Sequence, residues 1–248
     1  MISRSDDYVE YCRETAKRAH DLHDLALRGR KLKHLTERIH EQIAEAVELG
    51  PGDDVVDIGC GDGTLLRLAQ ERDVHSALGL LATEEEVSLA RRAGLNVRQG
   101  LTHQLPIADE SASVVVCNNV LLVVPRARIP ASLSEICRIA RPEARIFVGE
   151  IPAGAQRDPT PQFSTRKELL SHLLHKQGVR AWLGMLRRMG WWRLTGQPAV
   201  IRTGTAVSFF AAPKEFTSLA KEARLEVVRY WQCDHYKTRN NYLLRKLV

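Results

Sequence analysis

The feature that most constrains the fold is a strand–loop–helix segment at residues 55–64, with the sequence V-V-D-I-G-C-G-D-G-T. Its apolar start predicts a buried strand of a parallel sheet, and residues 64–70 have a helical pattern. Three glycines lie between them at alternating positions: Gly59, Gly61 and Gly63. Glycine permits close approach of a ligand to the backbone, and a helix N-terminus supplies N–H donors. We therefore predict a ligand loop, with Asp57 able to accept a hydrogen bond from an ammonium group.

Composition limits the class of protein. The chain has 248 residues and is 44% hydrophobic, which suits one α/β domain with an elaboration. Its five cysteines are scattered, odd in number and without a C-x-x-C pair, which argues against a disulfide framework and a structural zinc site. Neither a signal-peptide core nor an apolar run of about 18 residues occurs. The expectation is a cytoplasmic protein without a membrane span.

Apolar runs recur along the chain after this segment, with helical patterns between them. We predict strands at residues 77–81, 96–99, 113–117, 145–150, 225–230 and 242–246. Strands that alternate with helices in this way form a doubly wound parallel sheet. The last two strands are expected to form a hairpin at the edge of that sheet.

The glycine segment closely resembles the cofactor loop of class I S-adenosylmethionine-dependent methyltransferases of the type 11-like, small-molecule kind. Residues 99–106 are similar to the family's loop after the third strand, residues 113–121 to its fourth strand, and residues 138–150 to its passage into the fifth. The resemblance implies an α/β fold with a seven-stranded, mostly parallel Rossmann-like sheet. It also implies S-adenosyl-L-methionine as the cofactor.

Carried over position by position, the resemblance implies a set of cofactor-binding residues. They are Asp57, Gly59, Cys60, Gly61, Gly63, Leu81, Ala82, Leu101, Thr102 and Asn118. Two of them depart from the family, which usually has an acid for the ribose hydroxyls where Leu81 stands and an Asp for the adenine amine where Leu101 stands. Each lost charged hydrogen bond is worth about 1.5–3 kcal/mol. Substitutes from neighbouring positions are Thr83, Glu84 or Glu85 for the ribose and Thr102 or His103 for the adenine.

Methyl transfer depends largely on positioning, and a hydroxyl acceptor also benefits from a general base. The candidate catalytic residues are His103, in the loop after the third strand, and Asn119, which with Asn118 stands where the family faces the acceptor. Other candidate bases are His172, His175 and His235. Cys117 is interpreted as a small core residue. No metal-ligand spacing is present, and no D/N-P-P-Y/F motif indicates base amines of nucleic acid as acceptors.

The chain is expected to have four parts: an N-terminal helical cap, a cofactor-binding core, a helical insertion that covers the acceptor, and a C-terminal helix with a strand hairpin. Their bounds are residues 1–49, 50–152, 153–212 and 213–248. Residues 169–214 contain no acid, seven lysines and arginines, and three of the four tryptophans. Such a segment indicates an anionic neighbour, which is phosphate on a small substrate, an anionic membrane surface or nucleic acid. A plain helical cap is the alternative.

These observations favour a methyltransferase that acts on a small-molecule or lipid-linked acceptor, with oxygen as the expected methylated atom. An anionic acceptor such as a sugar or phosphate compound suits the basic insertion, as does peripheral membrane contact. A methyltransferase-like binding protein without catalysis is the first alternative, because of Leu81 and Leu101. An RNA methyltransferase is the second.

Overall fold

The structure is a computed structural model that describes residues 33–154, 209–234 and 238–247 continuously. Further described residues are 9–10, 12–14, 16–17, 19, 22, 171, 174, 179, 182–184 and 186–187. The chain divides into two compact units, one of Met1–Arg157 with Val207–Val248 and the other of Asp158–Ala206. The fold and the site below belong to the first unit.

The first unit contains one seven-stranded sheet within its described residues. Its strands are β1 (Asp54–Ile58), β2 (Ser76–Leu81), β3 (Val97–Gln99), β4 (Ala112–Asn118), β5 (Ala140–Pro152), β6 (Leu225–Gln232) and β7 (Arg239–Lys246). Their order across the sheet is β3-β2-β1-β4-β5-β7-β6. Strands β1 to β5 pair in parallel, whereas β7 is antiparallel to both β5 and β6. The predicted doubly wound sheet and its edge hairpin are confirmed.

Five α-helices of this unit have described bounds. They are α1 (Lys33–Ala46), α2 (Thr64–Glu71), α3 (Glu84–Arg92), α4 (Ile129–Ile139) and α5 (Pro213–Glu222). Helix α3 begins with a capping box in which Thr83 and Glu86 satisfy each other's backbone N–H groups. Helices α4 and α5 each carry proline in their first turn, where its missing N–H costs nothing.

Helices cover both faces of the sheet. Ile58 and Val115 belong to the apolar cluster shared with α4 and α5. Val55 and Val116 belong to the cluster on the opposite face, shared with α1 and α2. Because side chains alternate along a strand, Asp57 follows Val55 onto the α1 and α2 face.

Arg145 fixes the end of α1 to the sheet. Its guanidinium donates to the carbonyl oxygens of Val47 (2.7 Å) and Glu48 (2.8 Å), just beyond the helix. It also forms an ion pair with Asp53, next to β1. This arginine therefore satisfies two carbonyls of the turn that follows α1 and connects that turn to β5.

The structure differs from the sequence prediction at β5. This strand begins at Ala140 rather than at residue 145, because Ala140 pairs with Ala112 before the register shifts to Arg145 opposite Val114. Glu143 takes a left-handed conformation (φ 61°) within the shift. The described residues between 9 and 17 are helical, but most of the predicted helical insertion lies outside the described residues.

Candidate cofactor and acceptor site

The strands β1, β2, β3 and β4 are parallel neighbours. Their carboxyl ends therefore lie together at one end of the sheet, which we call its carboxyl edge. Asp57 pairs in register with Gly79 of β2 and Val116 of β4, and Leu81 pairs with Gln99 of β3. The glycine loop, Leu81 with Ala82, Leu101 with Thr102, and Asn118 all follow at that edge. The topology therefore brings the residues that the sequence singled out to one end of the sheet, which is where open α/β sheets bind ligands.

The glycines of the loop are required by backbone conformation. Gly59, Gly61 and Gly63 have φ values of 77°, 54° and 72°, in the left-handed region. A Cβ at Gly59 would lie 2.3 Å from Cγ2 of Val120, and one at Gly63 would lie 2.1 Å from Cδ1 of Leu95. We expected these positions to be kept clear for a ligand, but at Gly59 and Gly63 the chain's own side chains take the space.

The loop is also held by its own polar groups. The backbone N–H groups of Gly59 and Cys60 donate to the carbonyl of Leu80 at 2.8 and 3.2 Å. Oδ1 of Asp62 accepts from both N and Oγ1 of Thr64, at 3.1 and 2.7 Å, at the start of α2. The loop is therefore fixed between the end of β2 and the start of α2.

Asp57 is the polar group of this loop that the protein leaves unsatisfied. The residue is only 3% exposed, and its Oδ2 is buried without a hydrogen-bond partner in the described part of the chain. Burial raises the pKa of its carboxyl to about 7, and the charge of Asp62 adds to the rise. A buried acceptor without a donor costs free energy, so its geometry fits a ligand that brings an ammonium group.

The surroundings of Cys60 show the same excess of negative charge. Burial raises the pKa of its thiol, and the carboxylates of Asp57, Glu86 and Asp62 raise it further. The thiol is therefore neutral, and the loop presents a negative potential that favours a cation. Cys117, in β4, is completely buried and its pKa is also raised by burial, which confirms the prediction that it is a core residue.

The adenosine side of the site is built differently. Leu81 is buried in an apolar cluster with Cys60, Leu66 and Val87. The hydroxyl of Thr83, proposed as a substitute for the missing acid, donates to Oε2 of Glu86 at 3.0 Å and so belongs to the capping box. Thr83 therefore does not offer its side chain to a ribose.

Two further substitutes remain at the start of α3. Glu84 is exposed, with its Oε1 3.8 Å from Nη1 of Arg91. Oε1 of Glu85 lies 3.3 Å from Nε of Arg13, in the N-terminal helical residues. The carbonyl of Ala82 accepts a hydrogen bond from Nε2 of Gln99 at 3.2 Å.

The loop after β3 also uses its polar side chains internally. Oγ of Ser132 donates to the carbonyl of Arg128 at 3.0 Å, so Oγ1 of Thr102 is the donor in the 2.9 Å bond between the two hydroxyls. Nε2 of His103 lies 2.9 Å from Nη1 of Arg128 and accepts from it. Burial and the charge of Arg128 lower the pKa of His103. Its ring is therefore neutral, and its basic nitrogen is already engaged.

Asn118 and Asn119, at the end of β4, have different roles. Asn119 is left-handed (φ 59°), donates its N–H to Gly149 at 3.1 Å, and accepts at Oδ1 from Nη1 of Arg239 at 2.9 Å. The same Nη1 donates to Oε2 of Glu150 at 3.0 Å. Asn118 instead lines a cavity of about 290 Å³ between α1 and the strands β5, β7 and β6.

Glu150, Arg239 and the cavity are not among the features predicted from sequence. The signal in the sequence is a carboxylate directly after the run of apolar residues and glycine at 146–149. In the structure Glu150 lies within β5 and is 1% exposed. His172, His175 and His235 lie outside the described residues. Within the described residues, no group of three or more His, Cys, Asp or Glu side chains could hold a metal ion, and no helix combines the length and apolarity that a membrane span requires.

Known proteins match the middle of the chain. Residues 56–148 match the family described as methyltransferase domain. A malonyl-[acyl-carrier protein] O-methyltransferase of Serratia marcescens is 31% identical over 109 residues, which are 44% of this chain and 42% of that protein. A ubiquinone biosynthesis O-methyltransferase of Hahella chejuensis is 36% identical over 109 residues, 41% of this chain and 44% of that protein. Both matches span less than half of the relative's own length.

Solved structures extend the likeness over most of the chain. Magnesium protoporphyrin IX methyltransferase from Synechocystis, solved with bound SAH, has a TM-score of 0.53 at 16% identity and covers 85% of this chain and 83% of its own. The [4+2]-cyclase SpnF has a TM-score of 0.59 at 15% identity and covers 98% and 93%. Residues 56–148 therefore match the model of the methyltransferase domain family, and the seven-stranded fold of the first unit is the fold of these solved structures.

Proposed function

We propose that this chain is an S-adenosyl-L-methionine-dependent methyltransferase that acts on an oxygen of a small-molecule acceptor. The observation that carries the proposal is the buried, unpartnered Oδ2 of Asp57 at the glycine loop of this fold. The curated relatives named above support oxygen as the methylated atom, since both are O-methyltransferases.

The chain's own residues bind and orient. Asp57 accepts a hydrogen bond from the ammonium group of the cofactor, and the rigid loop from Gly59 to Gly63 holds its methionine end. The bound cofactor supplies an electrophilic methyl group. Ala82 and Leu101 would contribute apolar contacts on the adenosine side, and Leu81 and Thr102 would contribute backbone contacts, which makes cofactor binding weaker than with two acidic anchors. Most of the rate would then come from proximity and orientation.

Two catalytic roles remain proposals. We assign Asn119 a positioning role, because its Oδ1 already accepts a hydrogen bond from Arg239. His103 could accept a proton from an acceptor hydroxyl only after Arg128 releases Nε2. A base is therefore secondary here, and an acceptor that ionises readily at neutral pH would need none.

The four-part organisation is likewise a proposal. The contact of Arg13 with Glu85 supports a cap at residues 1–49 that lies beside the ribose position. The acceptor lid at residues 153–212, its anionic partner and its membrane contact rest on the sequence of the insertion alone.

Binding of S-adenosylhomocysteine, measured by isothermal titration calorimetry, tests the proposal. We expect saturable binding to the wild type and a loss of at least about tenfold in Asp57→Asn, which removes the charge that meets the ammonium group. Asp73→Asn is the matched control, because Asp73 is exposed and precedes β2 at the opposite edge of the sheet. No binding to the wild type at millimolar ligand would refute the proposal.

A binding protein that does not transfer methyl groups is the second candidate. The observation in its favour is that the polar groups at Thr83 and Thr102 are used internally, so the adenosine side lacks the expected anchors. The likeness to a [4+2]-cyclase shows that this fold also carries other chemistry. Retention of function in Asp57→Asn would favour this candidate.

A further inference from the structure

The cavity beside α1, which we call the α1 cavity, lies in the first unit between α1 and the strands β5, β7 and β6. Its volume is about 290 Å³, and it is partly open to solvent. An apolar cavity of about 150 Å³ holds one benzene, so the α1 cavity is large enough for a ring system of one or two rings. Asn118 belongs to its lining and also ends β4 beside the cofactor loop, so a molecule in the cavity would adjoin the proposed cofactor site.

The floor of the α1 cavity is polar and held in place. Glu150 donates its backbone N–H to Oδ1 of Asn241 at 3.0 Å and accepts from Nη1 of Arg239 at 3.0 Å. Both Glu150 and Arg239 are buried, at 1% and 9% exposure. A buried ion pair of this kind is costly to maintain for stability alone, so a fixed polar floor under a cavity points to ligand orientation.

The walls of the α1 cavity are aromatic. The rings of Phe147 and Trp231 lie with centroids 5.9 Å apart, tilted by 58°. The guanidinium of Arg229 lies 4.5 Å from the centre of the Trp231 ring, over its face. Ile39 and Ile43 of α1 complete the apolar surface. Flat apolar walls above a polar floor are suited to a planar ring that carries a polar substituent.

The charges in the lining of the α1 cavity determine which polar substituent of a ring ligand is favoured. Glu45, Glu150 and Asp234 contribute three carboxylates to the lining, and Arg229 contributes one cation. The charge of Glu150 is balanced by its ion pair with Arg239, so the lining keeps an excess of one negative charge, on the side of Glu45 and Asp234. Nε2 of Gln42 donates to Oδ2 of Asp234 at 2.8 Å, on the exposed side of the lining. Hydrogen-bond donors are favoured by such a lining, and an anionic group would be repelled.

We infer that the α1 cavity binds the methyl acceptor, and that this acceptor is a small ring compound bearing hydroxyl or amino groups and no anionic group. The identification of the ligand as the methyl acceptor rests on the proposed function, whereas its chemical class is inferred from the lining of the cavity. The inference opposes the sequence-based expectation of a phosphate-bearing or other anionic acceptor.

Three indole probes of the same ring but different charge test the inference: tryptamine, indole and indole-3-acetate. Binding to the full chain is measured by ligand-observed NMR titration. We expect tryptamine to bind more tightly than indole and indole-3-acetate to bind least. Gln42→Trp, which fills the exposed side of the cavity, should weaken the binding of tryptamine by about tenfold or more. Arg38→Trp, on the same helix but outside the lining, should leave it unchanged.

Two further variants separate this inference from the proposed function. Asp234→Asn should weaken the binding of tryptamine by about two- to fivefold and leave the binding of indole unchanged, since one exposed charge is removed. Asp57→Asn should weaken S-adenosylhomocysteine binding by at least about tenfold and leave tryptamine binding intact. The inference would be overturned if indole-3-acetate bound as tightly as tryptamine or more tightly, or if Gln42→Trp left tryptamine binding unchanged. Probe binding without S-adenosylhomocysteine binding would refute the proposed function and leave the cavity's ligand class standing.

Discussion

Oδ1 of Asp62 accepts two hydrogen bonds from Thr64. Oδ2 of Asp57, five residues earlier in the chain, is buried without a hydrogen-bond partner among the described residues. The charge of Asp62 also raises the pKa of Asp57. The two carboxylates therefore divide two roles, because Asp62 holds the loop together and Asp57 is left for a cation. This division leads to two predictions that depend on pH.

Cofactor binding should strengthen as pH rises and then level off. A cationic ammonium group binds the ionised form of Asp57, whose pKa is raised to about 7, so protonation at lower pH competes with binding. Affinity for S-adenosylhomocysteine should fall by up to about tenfold for each unit below pH 7. About half a proton should be released per ligand near pH 7, which is measurable by calorimetry in two buffers of different ionisation enthalpy. A pH-independent affinity between pH 5 and 8 would contradict the assignment.

Asp57→Asn should stabilise the protein without ligand at alkaline pH. The carboxyl has an ordinary pKa of 3.8 and a folded pKa of about 7, so the cost of the buried charge begins above pH 4 and is complete above pH 7. The upper limit of that cost is about 4 kcal/mol, from about 1.36 kcal/mol per pKa unit. Urea unfolding should show the variant more stable than the wild type at pH 8 and nearly equal to it at pH 4. Equal stability at pH 8 would mean that Asp57 is already satisfied.

Gly59→Ala should destabilise the fold more than Gly94→Ala. Both glycines have positive φ values, 77° and 80°, but an added Cβ at Gly59 meets Val120 whereas nothing lies within 4 Å at Gly94. The backbone term of about 1 kcal/mol is common to both variants, and overpacking adds about 1–3 kcal/mol at Gly59. Thermal unfolding of each variant measures the difference. In a Val120→Ala background, the loss of stability caused by Gly59→Ala should become smaller and approach the loss caused by Gly94→Ala.

Leu81→Asp should fail to restore a ribose anchor. Leu81 is 4% exposed and packs with Leu66 and Val87, so a carboxylate there would be buried without a partner. We expect a loss of about 3–5 kcal/mol in the free energy of unfolding. Leu81→Ala, with a loss of about 2–5 kcal/mol, is the control for lost packing volume. A Leu81→Asp protein that keeps wild-type stability and binds S-adenosylhomocysteine more tightly would show that this side chain faces the cofactor.

The sheet could be predicted from sequence because its signals are local. Apolar runs indicate each strand, and helical patterns lie between them. The parallel order then placed Asp57, Leu81 and Asn118 at one edge. The early start of β5 was missed, since Ala140 pairs only through a register shift around Glu143 that no periodicity reveals.

The partners of the polar side chains could not be predicted in the same way. Thr102 and Ser132 are separated by 30 positions, as are the loop at Leu105 and the carboxylate of Glu135 that holds its N–H at 2.7 Å. Such partners depend on how α4 packs against the loop after β3, which is a property of the folded chain. The pair of Thr83 and Glu86 is the exception, because its T-x-x-E spacing is readable from sequence.

The bond between Gln42 and Asp234 joins positions 192 apart in the chain. One wall of the α1 cavity is therefore made before β1 and the other after α5. The cofactor loop depends on neighbours much nearer in sequence, such as Leu80 and Leu95. During translation, the residues that would hold the cofactor can assemble first, and the ligand cavity is completed only when the final hairpin joins the sheet.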